Sequence, residues 1–152
     1  MNEAAAAQAF EHALATHRPV FGEFFLARLL GLSFEYTDAQ CTVSFKAKDF
    51  MFNPQGSLHG GIIATVMDIS MGHLLKRLQG SGITLEMKTQ YVKAAREGLL
   101  RCTSEFIQRG QGISYLRATM VDADGDVVAF SSSTWKRLKD AAAADPAPGA
   151  SA

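Results

Sequence analysis

Three polar side chains precede a pair of glycines near the middle of the chain, and one carboxylate follows them. Asn53, Ser57 and His59 lie before Gly60-Gly61, and Asp68 comes seven residues after the second glycine. Glycines let the backbone approach a ligand closely, and the first turn of a helix presents free N–H groups with partial positive charge. Such groups suit the charge that develops on a carbonyl oxygen under attack, and a nearby carboxylate can supply the base or the nucleophile.

The segment after the glycines predicts one long helix, about Ile62 to Leu78, that is buried on most sides. Its apolar residues cover roughly two-thirds of a helical wheel, and the remaining arc holds Ala64, Thr65, Asp68 and Gly72, with Lys76 one turn further on. The small residues on this arc would let a ligand reach the carboxylate. Three interpretations are open, because Asp68 is a reactive group, the partner of Lys76 in a structural salt bridge, or an ordinary partly exposed helix residue.

Milder interpretations also apply to the other polar residues. His59 caps the helix in one of them, and Asn53 only forms a turn with Pro54. His73 falls in the middle of the apolar arc, so we expect a core histidine there.

The spacing between Gly60 and Asp68 limits what a single chain can do. Eight residues of helix span about 12 Å at 1.5 Å per residue, whereas an oxyanion donor and a base must both lie about 3 Å from one reacting group. Two antiparallel copies of the helix, from two subunits, can meet this requirement. If both elements are catalytic, we therefore expect a homodimer with two shared sites.

The elements around this helix predict an α+β fold, in which one antiparallel sheet wraps around one long central helix. The chain reads as helical up to about Leu30, with Pro19 separating two pieces, and Phe34 to Ala47 has the alternation of a strand. Four more candidate strands follow the helix, and their short connections predict antiparallel hairpins: Thr84–Ala95, Leu99–Arg109, Ile113–Ala123 and Val127–Leu138. We expect a helical segment over 1–32, the main domain over 33–139 and a disordered tail over 140–152.

The composition excludes several classes of protein. The 152 residues carry 15 basic and 15 acidic side chains, so no general electrostatic attraction to nucleic acid or to an anionic membrane is expected. Cys41 and Cys102 are too few for a disulfide framework and lack the spacing of metal ligands. No apolar run approaches the roughly 20 residues that span a bilayer, and no secretory signal is visible. We expect a cytoplasmic protein.

The run Asn53-Pro54-Gln55-Gly56-Ser57-Leu58-His59-Gly60-Gly61, followed by Asp68, resembles the hotdog-fold acyl-CoA thioesterases. The similarity is greatest to the branch that includes the phenylacetate-pathway thioesterases and the thioesterase superfamily member 2 type. It extends from about Phe34 to Leu138, and the order of the elements agrees with it. The motif does not specify the acyl group.

The resemblance implies roles for individual residues. Asp68 matches the catalytic carboxylate, as general base or nucleophile, and Gly60 matches the glycine whose N–H polarises the thioester oxygen from the opposite subunit. His59 and Asn53 match residues that orient the loop and the thioester. Thr84 matches a position that helps to hold the attacking water.

The resemblance also implies a binding surface for coenzyme A. Gly61 lets the backbone approach the substrate, and the strand after Thr84 lies along the pantetheine arm, although Ala94 stands where the family often has proline. Four residues are nominated for contact with the arm and the phosphates: Tyr91, Lys93, Arg96 and Arg109.

The resulting prediction is a homo-oligomeric acyl-CoA thioesterase, either a dimer or a tetramer, that releases a carboxylic acid and coenzyme A. It needs no metal and no cofactor, since coenzyme A is part of the substrate. The alternatives are an acyl-CoA-binding or sensing protein without catalysis, favoured if Asp68 is salt-bridged, and a hotdog dehydratase or hydratase. Aryl-acetyl, medium-chain and long-chain acyl groups all remain open.

Overall fold

A computed structural model of the protein describes residues 1–138, and the predicted tail, 140–152, lies outside them. Three helices and six strands form the described part, together with a 3-10 turn at Asp49–Met51. The helices are α1 (Glu3–Thr16), α2 (Phe25–Leu30) and α3 (Gly60–Gln79); the strands are β1 (Ser33–Tyr36), β2 (Gln40–Ala47), β3 (Gly82–Tyr91), β4 (Gly98–Gln108), β5 (Ile113–Val121) and β6 (Val127–Arg137). Within these residues no helix is long and apolar enough to cross a membrane.

The strands form one antiparallel sheet in the order β1-β2-β4-β5-β6-β3. The prediction of a hairpin between the third and fourth strands is wrong, because β3 pairs with β6 at the edge of the sheet. Three strand positions separate β3 from β4, about 14 Å at 4.8 Å per strand. The segment 92–97 covers this distance, since six extended residues reach roughly 20 Å. A short connection therefore marks a crossover here.

The strand predicted over Phe34 to Ala47 is in fact the hairpin of β1 and β2. Thr37 produces the break, because its Oγ1 accepts the N–H groups of Ala39 and Gln40 while its own N–H donates to the Gln40 carbonyl. A threonine side chain that satisfies nearby backbone donors competes with the strand ladder. The turn then sends the chain back antiparallel to itself.

α3 packs against the sheet through β2 to β6 and supplies the centre of the core. Met67 and Met71 are fully buried, and their sulfur atoms accept hydrogen bonds from the hydroxyls of Ser131 and Ser133 at 2.9 Å each. These bonds account for two of the four consecutive hydroxyl residues of β6, 131–134, because alternate serines point inward and need partners in the core. The predicted antiparallel sheet against one long helix is confirmed.

The helical pieces before β1 pack on each other through aromatic side chains. Phe10 of α1 meets Phe25 of α2 edge to face, with ring centroids 5.6 Å apart. Between them Pro19 lies in a tight turn that spans Arg18 to Glu23, where the Arg18 N–H donates to the Glu23 carbonyl at 2.8 Å. We call these six residues the N-terminal turn.

Candidate active site

A cavity of about 610 Å³ opens on the face of α3 that carries the small residues. Asp68 and Thr65 lie in its floor with Gly72, and β3 and β6 contribute Gly82 and Trp135. The opposite wall comes from the chain before β1, and the lining is predominantly apolar: Pro19, Val20, Phe21, Phe24 and Leu26. The cavity therefore places one carboxylate in an apolar recess of a size that small-molecule sites often have.

The Asp68 carboxylate has one hydrogen-bond partner among residues 1–138. Thr84 Oγ1, on β3, donates to Asp68 Oδ1 at 2.7 Å. Lys76 does not pair with Asp68; its Nζ donates to Ser81 Oγ at 3.2 Å and lies 5.6 Å from the centre of the Phe21 ring. The salt-bridge interpretation is therefore wrong, since no cation of residues 1–138 pairs with the Asp68 carboxylate. The Asp68 side chain is half-buried, which agrees with a partly exposed helix residue as well as with a reactive group.

The N-terminus of α3 is organised by His59. Its Nδ1 accepts the Gly61 N–H at 2.9 Å, so His59 is the N-cap residue. No acceptor within the described chain meets the N–H of Gly60. The phenol of Tyr91 instead donates to the Gly60 carbonyl at 3.0 Å, and its ring covers the glycine. Of the two glycines, Gly60 keeps an N–H that can polarise a ligand.

The loop before the helix is shaped by Asn53. Its Oδ1 accepts the N–H groups of Gln55 and Ser57, and its Nδ2 donates to Ser57 Oγ at 3.0 Å. An antiparallel bridge between Phe52 and Leu58 closes the loop. Asn53 therefore forms a turn, and this turn delivers His59 to the helix terminus. Its role in orienting a thioester stays a prediction.

The structure divides the predicted site residues into two groups. Asp68 and Thr84 lie together at the cavity, whereas Asn53, His59, Gly61 and Tyr91 lie around Gly60 at the start of α3. The helix is continuous from Gly60 to Gln79, so Gly60 and Asp68 are about 12 Å apart along its axis. One chain does not bring the two groups to a single carbonyl.

The predicted basic residues lie in different places. Lys93 is ion-paired with Asp122 at 2.8 Å and Asp126 at 2.5 Å. The hydrogen bond that Lys93 Nζ donates to the Asp122 carboxylate is the main cause that raises the pKa of Lys93. Lys93 therefore stays protonated, and the two carboxylates compensate its positive charge within the chain. Arg96 is exposed on the crossover after β3, where the neighbouring Ala95 carbonyl accepts the Leu58 N–H at 2.8 Å.

Arg109 lies at the opposite end of α3 from Gly60. Its guanidinium stacks 4.7 Å above the Phe106 ring, and it lines a polar cavity of about 510 Å³ together with Arg77 and Arg137. Sequence reasoning missed Arg77 and Arg137 as neighbours of Arg109. Only the strand register, which pairs Arg137 with Gly82 just beyond α3, brings them together.

His73 is buried, as the sequence predicts, and it also lines the cavity. Its Nδ1 is 2.7 Å from the Tyr36 hydroxyl, and its ring stacks on Phe34 with centroids 4.1 Å apart. Burial lowers the pKa of His73 to about 4, so the ring is neutral near pH 7. The other nitrogen, Nε2, is buried without a hydrogen-bond partner.

No group of His, Cys, Asp or Glu side chains in residues 1–138 is arranged to hold a metal ion.

Comparison with known proteins agrees with the resemblance seen in the sequence. The model of the thioesterase superfamily matches residues 55–129, which include α3, Asp68 and Thr84. The predicted resemblance to hotdog thioesterases is confirmed over this part of the chain. The predictions of a thioester hydrolase and of a hotdog fold are confirmed.

Individual relatives are distant but span most of the chain. A protein of Salmonella typhimurium named medium/long-chain acyl-CoA thioesterase YigI is 25% identical over 71% of this chain and 82% of its own length. A conserved Pseudomonas aeruginosa protein of known structure is 26% identical, with a TM-score of 0.70 over 74% of this chain and 93% of that one. The E. coli PaaI protein, from the phenylacetic acid degradation operon, is 17% identical and shares the fold, with a TM-score of 0.75 over 88% and 96% of the two chains.

Proposed function

We propose that the protein is an acyl-CoA thioesterase in which Asp68 acts on the thioester carbon, as general base for water or as nucleophile. Water adds its oxygen to the acyl carbon, the carbon–sulfur bond breaks, and the products are a carboxylic acid and the coenzyme A thiol. The observation that carries the proposal is the Asp68 carboxylate, which lies in an apolar cavity without a cation and is oriented by the Thr84 hydroxyl at 2.7 Å. A carboxylate held in this way is free to accept a proton or attack a carbonyl.

The second part of the proposal is a site shared by two subunits. β3 is an edge strand of ten residues, and Ile83 and Leu85 on it are 47% and 52% exposed. A long edge strand with exposed apolar side chains favours pairing with another chain. Two copies of β3 paired antiparallel about a two-fold axis would also set their α3 helices antiparallel. The N–H of Gly60, which has no acceptor in its own described chain, could then polarise the thioester held by the partner's carboxylate.

Coenzyme A recognition is proposed for the segment near Gly60. Tyr91 covers this glycine and would lie along the pantetheine arm. Arg96, on the crossover after β3, is exposed and has no ion-pair partner among residues 1–138. Arg109 and its neighbouring arginines form a second basic surface. The structure provides less support for Lys93, since two carboxylates occupy it.

The catalytic proposal is tested by the release of free thiol from butyryl-, octanoyl-, palmitoyl-, phenylacetyl- and 4-hydroxybenzoyl-CoA. We expect turnover of at least one substrate and a loss of about 100-fold or more in kcat for Asp68→Asn. Asp38→Asn is the matched control, because Asp38 is an exposed residue of the β1–β2 turn. Binding of acyl-CoA without any hydrolysis would instead favour a sensing protein.

The coenzyme A proposal needs a different comparison. Arg96→Gln and Arg109→Gln are compared for an acyl-CoA and for the same acyl group on pantetheine, which lacks the nucleotide. If an arginine contacts the phosphates, its substitution by glutamine raises KM for the CoA ester about 5-fold or more and leaves KM for the pantetheine ester unchanged. Arg101→Gln, an exposed arginine on β4, is the control.

A further inference from the structure

The N-terminal turn closes one end of the cavity that contains Asp68. Phe21 projects from its tip, and the Phe21 ring lies 5.0 Å from the His73 ring, centroid to centroid. Lys76 Nζ lies 5.6 Å from the Phe21 ring centre on the same side. Phe21 thus contacts α3 at positions five and eight residues after Asp68, and Phe21 and Asp68 both line the cavity.

The turn holds Phe21 in place through contacts on both sides. The Glu23 N–H donates to the Val20 carbonyl at 3.2 Å, and Gly22 has a φ of 83°, a conformation that glycine adopts without strain. The Glu23 carboxylate lies 3.6 Å from the Arg18 guanidinium and 3.4 Å from that of Arg28 on α2. These contacts tie the turn to itself and to the next helix, and Phe21 therefore occupies a defined position although its side chain is half exposed.

We propose that Phe21 is a specificity-determining residue that limits the length of the acyl group. This inference rests on the proposed function, because it takes the cavity beside Asp68 as the acyl-binding site. Five and eight residues of helix correspond to about 7.5 and 12 Å along α3, which is the length available between the carboxylate and Phe21. A palmitoyl chain occupies about 15 Å, half of a bilayer core of roughly 30 Å. Acyl groups up to about the length of octanoyl fit; palmitoyl does not.

The position of Phe21 in the chain gives this proposal a separate consequence. The superfamily model matches residues 55–129, so the residue that closes the cavity lies outside the part of the chain that carries the catalytic motif. The length limit is then a property of the N-terminal turn, and it can change while Asp68, Thr84 and Gly60 stay as they are.

The test is a chain-length profile of kcat/KM from butyryl- to palmitoyl-CoA for Phe21→Ala, Phe21→Trp and the wild type. Removal of the ring extends the cavity. We expect the ratio of kcat/KM for dodecanoyl-CoA to kcat/KM for octanoyl-CoA to rise about 10-fold, because accommodating one further methylene in an apolar pocket changes kcat/KM by about this factor or more. Phe21→Trp shifts the profile in the opposite direction, towards butyryl. Because the two variants have opposite effects, a general loss of stability cannot imitate the result.

Phe10→Ala is the matched control, since Phe10 is also aromatic and similarly exposed, at 49% against 51% for Phe21, but packs on Phe25 and does not line the cavity. We expect Phe10→Ala to keep the wild-type profile. The same profile in Phe21→Ala, Phe21→Trp and the wild type would overturn the proposal while leaving the thioesterase function intact.

A second readout does not require activity. Phe21 covers His73, whose Nε2 is buried without a hydrogen-bond partner in the described chain and whose Nδ1 lies 2.7 Å from the Tyr36 hydroxyl. The charged groups on this side of α3 are Arg77, which lies over the Tyr36 ring, Lys76 and Asp68. In Phe21→Ala water reaches the imidazole, so its pKa, followed by NMR, rises from about 4 towards 6.5.

If the wild type hydrolyses no ester, which contradicts the proposed function, the same length ratios are read from dissociation constants measured by calorimetry. Equal constants for octanoyl- and palmitoyl-CoA would overturn the length limit.

Discussion

Thr84→Val removes the one hydrogen bond that the described chain makes to the Asp68 carboxylate. Valine has nearly the shape of threonine and suits a strand, so β3 keeps its backbone and its pairing with β6. What is lost is the donor Oγ1, 2.7 Å from Asp68 Oδ1. The substitution therefore changes the orientation and hydrogen bonding of the carboxylate while its charge remains.

The size of the effect follows from the kind of bond. A hydrogen bond to a charged group contributes about 1.5–3 kcal/mol, and about 1.4 kcal/mol corresponds to a factor of ten in rate. If the bond positions Asp68 or its water in the transition state, kcat falls about 10- to 150-fold. KM should change little, because the cavity that binds the acyl group keeps its walls.

The assay is steady-state thiol release with the best substrate of the panel. Thr89→Val is the matched control, because Thr89 lies on the same strand and its hydroxyl pairs with Ser131 Oγ at 3.2 Å, away from the carboxylate. In the Asp68→Asn background Thr84→Val should lower kcat much less than it does in the wild type, because the two residues act through one shared hydrogen bond and their effects in a double-mutant cycle are not additive. Equal kcat values for Thr84→Val and Thr89→Val would refute the reasoning.

Two further predictions concern stability. His73 has a pKa of about 4 in the folded chain against 6.5 for a free imidazole, so the unfolded chain binds more protons between these pH values. The free energy of unfolding therefore falls by about 3 kcal/mol as the pH drops from 7 to 4. Urea titrations of His73→Phe should lack this pH-dependent decrease. Ser70→Ala removes a buried hydroxyl that lies within hydrogen-bonding distance of the Cys41 carbonyl, at 3.2 Å, and of Ser104 Oγ, at 3.0 Å. We expect this change to lower the free energy of unfolding by about 1–3 kcal/mol, whereas Ser132→Ala on the exposed face of β6 is neutral. Equal urea midpoints for the two variants would contradict this prediction.

Local pattern was sufficient to predict most of the elements. The helix at α3 follows from its apolar arc and from Gly80 after it, and β4, β5 and β6 follow from alternation between short glycine-containing turns. The position of β3 could not be obtained in this way. Its connection to β4 has the length of a hairpin loop, and only the pairing of β3 with β6 reveals a crossover.

The two ends of the candidate site differed in how far they could be predicted. Asp68 and Gly60 are recognisable because their residue types are unusual in their surroundings. The cavity is not, because Phe21 and Trp135 are more than a hundred residues apart and meet only after the N-terminal turn folds over α3. The pairing of Lys93 with Asp122 and Asp126 depends likewise on contacts between distant segments.

The central claim is that Asp68 of one subunit acts with the Gly60 N–H of the other. Gly60→Pro removes this N–H at the first position of a helix, where proline is tolerated, and His59 before it already has the extended ψ of 131° that proline requires. Gly60→Ala adds a Cβ at the same point, 3.3 Å from the Tyr91 ring, but keeps the N–H and is the control.

The decisive measurement is the activity of a purified heterodimer of Asp68→Asn and Gly60→Pro subunits carrying two different affinity tags. Each homodimer lacks one component at both sites and should be nearly inactive. The heterodimer has one site with both components, so the account predicts about half of the wild-type activity. A heterodimer no more active than its two parents would contradict the shared site.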